Sequence, residues 1–237
     1  MNHLKNVMAG VAFILAAFPV TAQPYKQPDA GELKVMLEKL RHTQRVLYIA
    51  AHPDDENTRL IAWLSLGRKI DVAYLAITRG DGGQNLIGEE RGDLLGVIRT
   101  HELLAARRID WGRQFFTRAI DFGYSKSAEE TFQKWDHDQV LSDVVWVIRQ
   151  YRPDIVITRF PPDQRAGHGH HTASAILAAE AFQMAGDPEA FPEQLEYTEP
   201  WQPRRLLFNT STWFYQRQGV AFDESRFLKL DVGEFDP

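Results

Sequence analysis

The chain has 237 residues, a formal net charge of -5 and no cysteine. That length supports one substantial core without disulfides, and the lack of any basic excess argues against a nucleic-acid partner. Cysteine usage carries no information on the compartment.

The first residues read as a targeting segment. Lys5 supplies a positive n-region, Val7 to Val20 form an apolar stretch too short to span a bilayer comfortably, and Val20-Thr21-Ala22 presents small residues where a signal peptidase cuts. Residues 1–22 are expected to be removed, leaving a secreted or periplasmic protein that starts near Gln23 and has no membrane span after cleavage.

Asp29 is placed to cap a helix whose Leu33, Met36, Leu37 and Leu40 share one face. Arg45 to Ala51 reads as a buried strand, residues 58–66 as a helix and Ile70 to Thr78 as a second strand. A helix over 93–108 precedes a short strand at Gln114 to Thr117. Val140, Val144, Ile148 and Tyr151 mark another amphipathic helix, followed by a strand from Asp154 to Phe160 and a helix from Thr172 to Met184. Beyond a loop over 191–203, the stretches Arg205 to Asn209, Thr212 to Tyr215 and Phe227 to Val232 are strand-like. That last stretch runs to Asp236-Pro237 with no polar terminus after it, which suggests the N-terminal part of a longer protein.

Strands alternating with helices imply an α/β fold with a mostly parallel sheet and helices on both faces. His52 then follows the first strand, Arg79-Gly80-Asp81-Gly82-Gly83 the second, and His168 to His171 the strand ending at Phe160. All three clusters lie beyond carboxyl ends, where open α/β sheets bind ligands.

Two stretches carry the chemistry. Ala51-His52-Pro53-Asp54-Asp55-Glu56 offers an imidazole and adjacent carboxylates, and Gly167-His168-Gly169-His170-His171 packs three of the eight histidines into four positions. His and Asp are ordinary zinc ligands, and metal-assisted hydrolysis needs three of them, an open position and a further carboxylate to move a proton. His52 and Asp55 are spaced to reach one ion, with Asp54 turned toward water. The same string fits a surface turn or helix cap, and Glu56 suits the dipole of a first helical turn. In the histidine loop, one imidazole is expected to ligate and another to stay free. Arg79 and Asp81 fit a substrate contact or a mutual ion pair equally well, and Arg99 with Glu102 has the spacing of an ordinary surface pair.

These motifs, together with the Arg99-x-x-Glu102 helix bearing Ala105 and Ala106, resemble the LmbE-like, or PIG-L, zinc-dependent N-deacetylases over roughly Arg45 to Leu177. The resemblance implies a Rossmann-like fold with the deacetylase domain spanning 23–237. It implies His52, Asp55 and His171 as zinc ligands, Asp54 as general base, and His168 as the group that stabilises the oxyanion or assists proton transfer. Arg79, Asp81 and Arg99 stand as candidate substrate-binding residues. The family often shows His-Pro-Asp-His where this chain has Gly169 and His170 in place of Pro and Asp. The partner that orients His168 must then come from elsewhere, and Asp163 is a candidate.

The expected activity is removal of an acyl group, most simply acetyl, from an amino-sugar-containing small molecule or glycan. Zn2+ suits two imidazoles and a carboxylate better than magnesium, and Fe2+ or Co2+ would also fit. The competing readings are a non-catalytic, metal-containing glycan-binding module and a hydrolase of a non-sugar amide. Asp54 beside the metal ligands separates an enzyme from a binding module, which has no use for it.

Overall fold

The computed structural model describes residues 27–216, 219 and 221–233. The leader over 1–22, with its cleavage site, and the terminal Asp236-Pro237 lie outside these residues.

Five parallel strands form one sheet: β1 (Arg45–Ala50), β2 (Asp71–Thr78), β3 (Arg113–Ala119), β4 (Ile155–Thr158) and β5 (Arg205–Phe208), in the order β3-β2-β1-β4-β5. Alternation along the strands divides the core in two. Leu47, Ile49, Ala73, Leu75 and Ile77 face helices α4 (Ala128–Lys134), α5 (His137–Tyr151) and α6 (Gly169–Met184). Val46, Tyr48, Ala50, Val72, Tyr74 and Ala76 face α2 (Thr58–Ala62), α3 (Asp93–Asp110) and α7 (Trp213–Gln216). Burial on both faces explains why β1 and β2 read as near-continuous apolar runs. The result is the expected Rossmann-like α/β architecture.

The chain runs outward from β1 to β3, then returns to place β4 on the other side of β1. The strand order therefore reverses between β1 and β4, and a crevice opens above their carboxyl ends at this switch point. His52 leaves β1 and the histidine loop leaves β4, so topology alone brings the two motifs together.

Several expected elements change. The helix after β1 is five residues of α-helix continued by a π-turn over Trp63–Gly67. Thr212 to Tyr215 is not a strand but contributes to short helix α7, because Phe214 must bury its ring against Phe160 and Phe208. Phe227 to Val232 is not a strand either; Phe227, Leu228, Leu230 and Val232 instead line a groove with Leu60 and Leu207. Asp29 does cap α1 (Ala30–Lys39) in a reciprocal capping box with Glu32. Its face of Leu33, Met36, Leu37 and Leu40 nevertheless stays exposed.

Arg149, fully buried on α5, secures the end of α6. Its five N–H donors meet the carbonyls of Ala185, Phe191, Asp187 and Ala190 and the side-chain oxygen of Gln194 at 2.7–3.2 Å. Arg149→Met keeps the volume but removes the donor to the Ala190 carbonyl and the Gln194 side-chain oxygen, each costing about 1–3 kcal/mol, while the Ala185, Asp187 and Phe191 carbonyls keep the backbone N–H groups of Trp201, Ala190 and Gln194. A loss of roughly 3–4 kcal/mol is expected, readable as a lower denaturant midpoint; an unchanged midpoint would show that the two oxygens find other donors.

Candidate metal centre and catalytic pocket

The turn after β1 is shaped from below. Tyr74 donates its hydroxyl to the His52 carbonyl, and the Thr78 backbone and side chain both hold the Ala51 carbonyl at 2.9 and 3.1 Å. Asn57, not an acidic residue, caps α2. Glu56 therefore does not serve the helix dipole. It is buried ahead of the helix and pairs with Arg107 at 3.2 Å, while Arg107 also reaches Asp110 at 2.6 Å. This internal ion pair ties the turn to α3.

Asp55 is the hub. Its Oδ2 accepts the His52 backbone N–H at 2.7 Å and stands 3.1 Å from His52 Nδ1, while its Oδ1 lies 3.4 Å from His171 Nε2. Burial alone would raise the Asp55 carboxyl, but the neighbouring His171 and His52 prevail and hold it well below the usual carboxylate range. His171 stacks on Phe160 at 3.8 Å and directs Nδ1 at the Ala166 carbonyl at 3.2 Å. That contact puts the ring proton on Nδ1 and leaves the Nε2 lone pair facing Asp55.

The donor atoms of His52, Asp55 and His171 lie within 4.8 Å of one another. Two ligands of a tetrahedral zinc stand about 3.4 Å apart, close to the 3.1 and 3.4 Å found around Asp55. Two imidazoles, one ionised carboxylate and a second-neighbour carbonyl on His171 thus fit a divalent cation of zinc type.

The helix that carries His171 begins at Gly169, three residues earlier than its apolar pattern indicates, so His168 becomes the N-cap of α6. His168 Nδ1 accepts the His170 backbone N–H at 3.0 Å. Burial, joined by His171 and His52, pushes the His168 imidazole down to about 4. It is therefore neutral at pH 7, with its proton on Nε2. Asp163 does not orient it, being turned onto Arg165 at 2.6–3.1 Å; a backbone amide supplies the partner instead. Gly169 fits the same design. A Cβ there would lie 2.3 Å from Ser125 Oγ and the Ser127 carbonyl, and the Gly169 N–H, which a proline lacks, donates to Ser125 at 2.8 Å.

A pocket of about 330 Å³ opens beside these groups, lined among others by His52, Asp54, Arg99, Asp121, Tyr124 and His168. Asp54 is largely exposed and is paired with Arg99 at 3.2 Å. Arg99, on α3, also contacts Glu102 at 3.5 Å, so it joins the pocket instead of lying on a remote surface. Arg79 and Asp81 do not line this pocket. Arg79 lies over Phe116 and donates to Thr100 at 3.1 Å, and Asp81 accepts the Asp121 backbone N–H at 3.1 Å. They pair neither with each other nor with the His52 cluster; both line a neighbouring concavity with Thr100 and His101.

Asp121 and Tyr124 escaped sequence reasoning. They sit on the loop beyond β3, which runs two residues further than the pattern at Gln114 to Thr117 indicates. Gly82 lets that loop approach, since a Cβ would stand 2.4 Å from the Gly123 nitrogen. A polar residue beyond a strand's carboxyl end is the available signal, and Asp121 met it.

Comparison with known proteins agrees with the architecture and the motifs. Mycothiol S-conjugate amidase of Streptomyces coelicolor is 28% identical over 180 residues, or 70% of this chain and 60% of that protein. The 1D-myo-inositol 2-acetamido-2-deoxy-alpha-D-glucopyranoside deacetylase of Streptomyces scabiei is 26% identical, over 91% of this chain and 68% of that one. Among solved structures, N,N'-diacetylchitobiose deacetylase from Pyrococcus horikoshii shares the fold with a TM-score of 0.53 at 23% identity, covering 67% of this chain and 57% of that one. The chain thus spans about three fifths of the length of the first of these relatives and of this structural neighbour. The profile of one family, described as PIG-L: GlcNAc-PI de-N-acetylase, matches residues 47–182; with the His52 and His171 motifs inside that span, the chain belongs to the PIG-L family.

Proposed function

We propose that this chain hydrolyses an N-acyl amide, acetamide foremost, on an amino-sugar-containing substrate, with Zn2+ held by His52, Asp55 and His171. The observation that carries this reading is Asp54: a carboxylate next in sequence to the ligand cluster, facing a polar pocket and absent from the cluster itself. The amidase and deacetylase named above support the reaction class and the amino-sugar substrate. The family match supports a metal-dependent site.

A divalent cation held by His52, Asp55 and His171 would supply Lewis acidity, lowering the pKa of water toward 7 and polarising a carbonyl. Asp54 accepts the proton of the attacking water and returns it to the departing nitrogen, since an amide anion is a very poor leaving group. His168 directs its Nε2–H at the oxygen that gains charge as the amide carbon becomes tetrahedral. Arg99 keeps the Asp54 carboxylate in place and offers further N–H donors to the substrate.

The test is release of acetate by zinc-loaded protein from a panel of N-acetylated amino sugars and small non-sugar amides. Turnover of the sugars above the simple amides is expected. Turnover of simple amides alone would move the substrate class, and sugar binding without acetate release would favour a binding module.

We also place the protein outside the cytoplasm, on the strength of the Lys5 to Ala22 leader. Among the described residues no helix is long and apolar enough to cross a membrane. Exported protein is expected to start near Gln23 by mass spectrometry, and an intact Met1 start would contradict this placement.

A further inference from the structure

Four imidazoles crowd the site, and His170 has no part in the reading above. Its ring is fully buried against Phe122, edge-on at 4.4 Å, and Trp135, at 4.7 Å. Its Nδ1 stands 3.0 Å from His52 Nε2, and its own Nε2 has no hydrogen-bond partner among the described residues. The geometry points to His170 as a positioning residue for the metal centre: when a cation binds, it supplies the acceptor for His52 Nε2–H, the tautomer in which His52 turns a bare Nδ1 toward Asp55. The inference rests on the metal reading proposed above.

The argument is one of proton placement. A neutral imidazole has one donor and one acceptor nitrogen. His52 Nδ1 lies on the Asp55 side, so for it to ligate, the proton must sit on Nε2. A buried N–H without an acceptor costs about 1–3 kcal/mol. Two acceptors face Nε2. His170 Nδ1 is within hydrogen-bonding distance at 3.0 Å, whereas Asp121 Oδ2 at 3.9 Å is too far. Ligating histidines commonly donate their second N–H to a carboxylate or carbonyl; here an imidazole takes that place.

The opposite tautomer would put the His52 proton on Nδ1, against Asp55, and close the cradle. His170 Nε2 is unpaired whichever way its proton lies, so His170 by itself does not choose between the two states. A cation on the Asp55 side then decides. His170 is also rigidly placed, one residue before His171 in the first turn of α6. A single helical turn thus holds one ligand and orients another.

The atoms of His52, His168 and His170 also lie within 4.8 Å of one another. A second cation there would require His52 to ligate through both nitrogens with both protons lost, and His168 Nδ1 is already engaged. One cation oriented through His170 is the more economical arrangement.

The experiment compares zinc affinity, by competition with a chromophoric chelator, in the wild type, His170→Leu and His170→Asn. Leucine suits the apolar walls but removes the acceptor, and a loss of roughly 10–100-fold is expected. Asparagine places Oδ1 near the position of Nδ1 and should restore affinity to within about threefold. Long-range 1H–15N spectra of the zinc-loaded wild type should show His52 protonated on Nε2. Undiminished affinity in a folded His170→Leu protein, a His52 proton on Nδ1, or a second zinc that disappears with His170 would overturn the proposal. Should His170→Leu not fold, the wild-type spectrum and the asparagine variant decide. A wild type without affinity for any divalent cation would sink the metal reading itself, a result visible before any variant is made.

Discussion

Asp54→Asn is expected to retain metal and fold while turnover falls by roughly 10²–10⁴-fold, the usual contribution of a positioned proton carrier. The amide is nearly isosteric with the carboxylate but cannot take a proton from water. Nothing structural is at stake: Asp54 is largely exposed, its ion pair with Arg99 is of the kind worth about 0–1 kcal/mol, and Arg99 keeps Glu102 at 3.5 Å. The loss should fall on kcat, with KM little changed, because the group acts in the transition state. His168→Ala should cost about 10²–10³-fold through the lost oxyanion donor, again with metal retained. Near-native turnover in Asp54→Asn, measured alongside zinc content, would refute the proton-transfer role.

How much of this was legible beforehand follows from which forces act locally. Strands buried on both faces are written in continuous apolar runs, and β1, β2 and β4 are readable to within a residue or two; the half-exposed edge strand β5 is readable as well, from its apolar Leu206 to Phe208 run. The meeting of His52 with the histidine loop followed from strand alternation alone, because parallel strands send all their carboxyl ends to one edge. Side-chain partners were another matter. Glu56 looked like a first-turn carboxylate because its partner Arg107 is 51 positions away, and no spacing rule links them. His168 was expected to lean on a carboxylate, yet a backbone amide of its own helix serves, which depends on α6 starting at Gly169. Thr212 to Tyr215 and Phe227 to Val232 have strand composition but pair with no strand among the described residues; Phe214 buries its ring against Phe160 and Phe208 within a short helix, so packing overrides propensity there. Arg79 and Asp81 sit in a Gly-rich turn that fits a substrate contact or a mutual ion pair equally well; they do not pair with each other, and Asp81 accepts the Asp121 backbone N–H of the neighbouring loop, a contact no spacing rule gives.

His52→Ala and His171→Ala should each abolish tight zinc binding, an effect comparable in size to that of Asp54→Asn but on a different observable. Zinc sites in small domains are worth about 10–16 kcal/mol in total. An even share among three protein ligands is then roughly 3–5 kcal/mol each, or about two to four orders of magnitude in affinity. The true loss per ligand depends on how well the other two stay in place. Here Asp55 would keep its bond from the His52 backbone N–H in His52→Ala, and His171 would keep its stack on Phe160. The two remaining ligands thus stay ordered, and the deficit reflects the missing one. Ligand binding to the folded state alone raises stability by about 2.7 kcal/mol at a hundredfold excess over Kd. For a chain of this size that is about 5–10 °C in Tm. Zinc should therefore raise the wild-type Tm by that amount and a chelator should reverse it, whereas neither variant should respond. A full zinc-dependent shift in His171→Ala, with one zinc retained by elemental analysis, would remove His171 from the ligand set and move attention to His168 and His170 beside it.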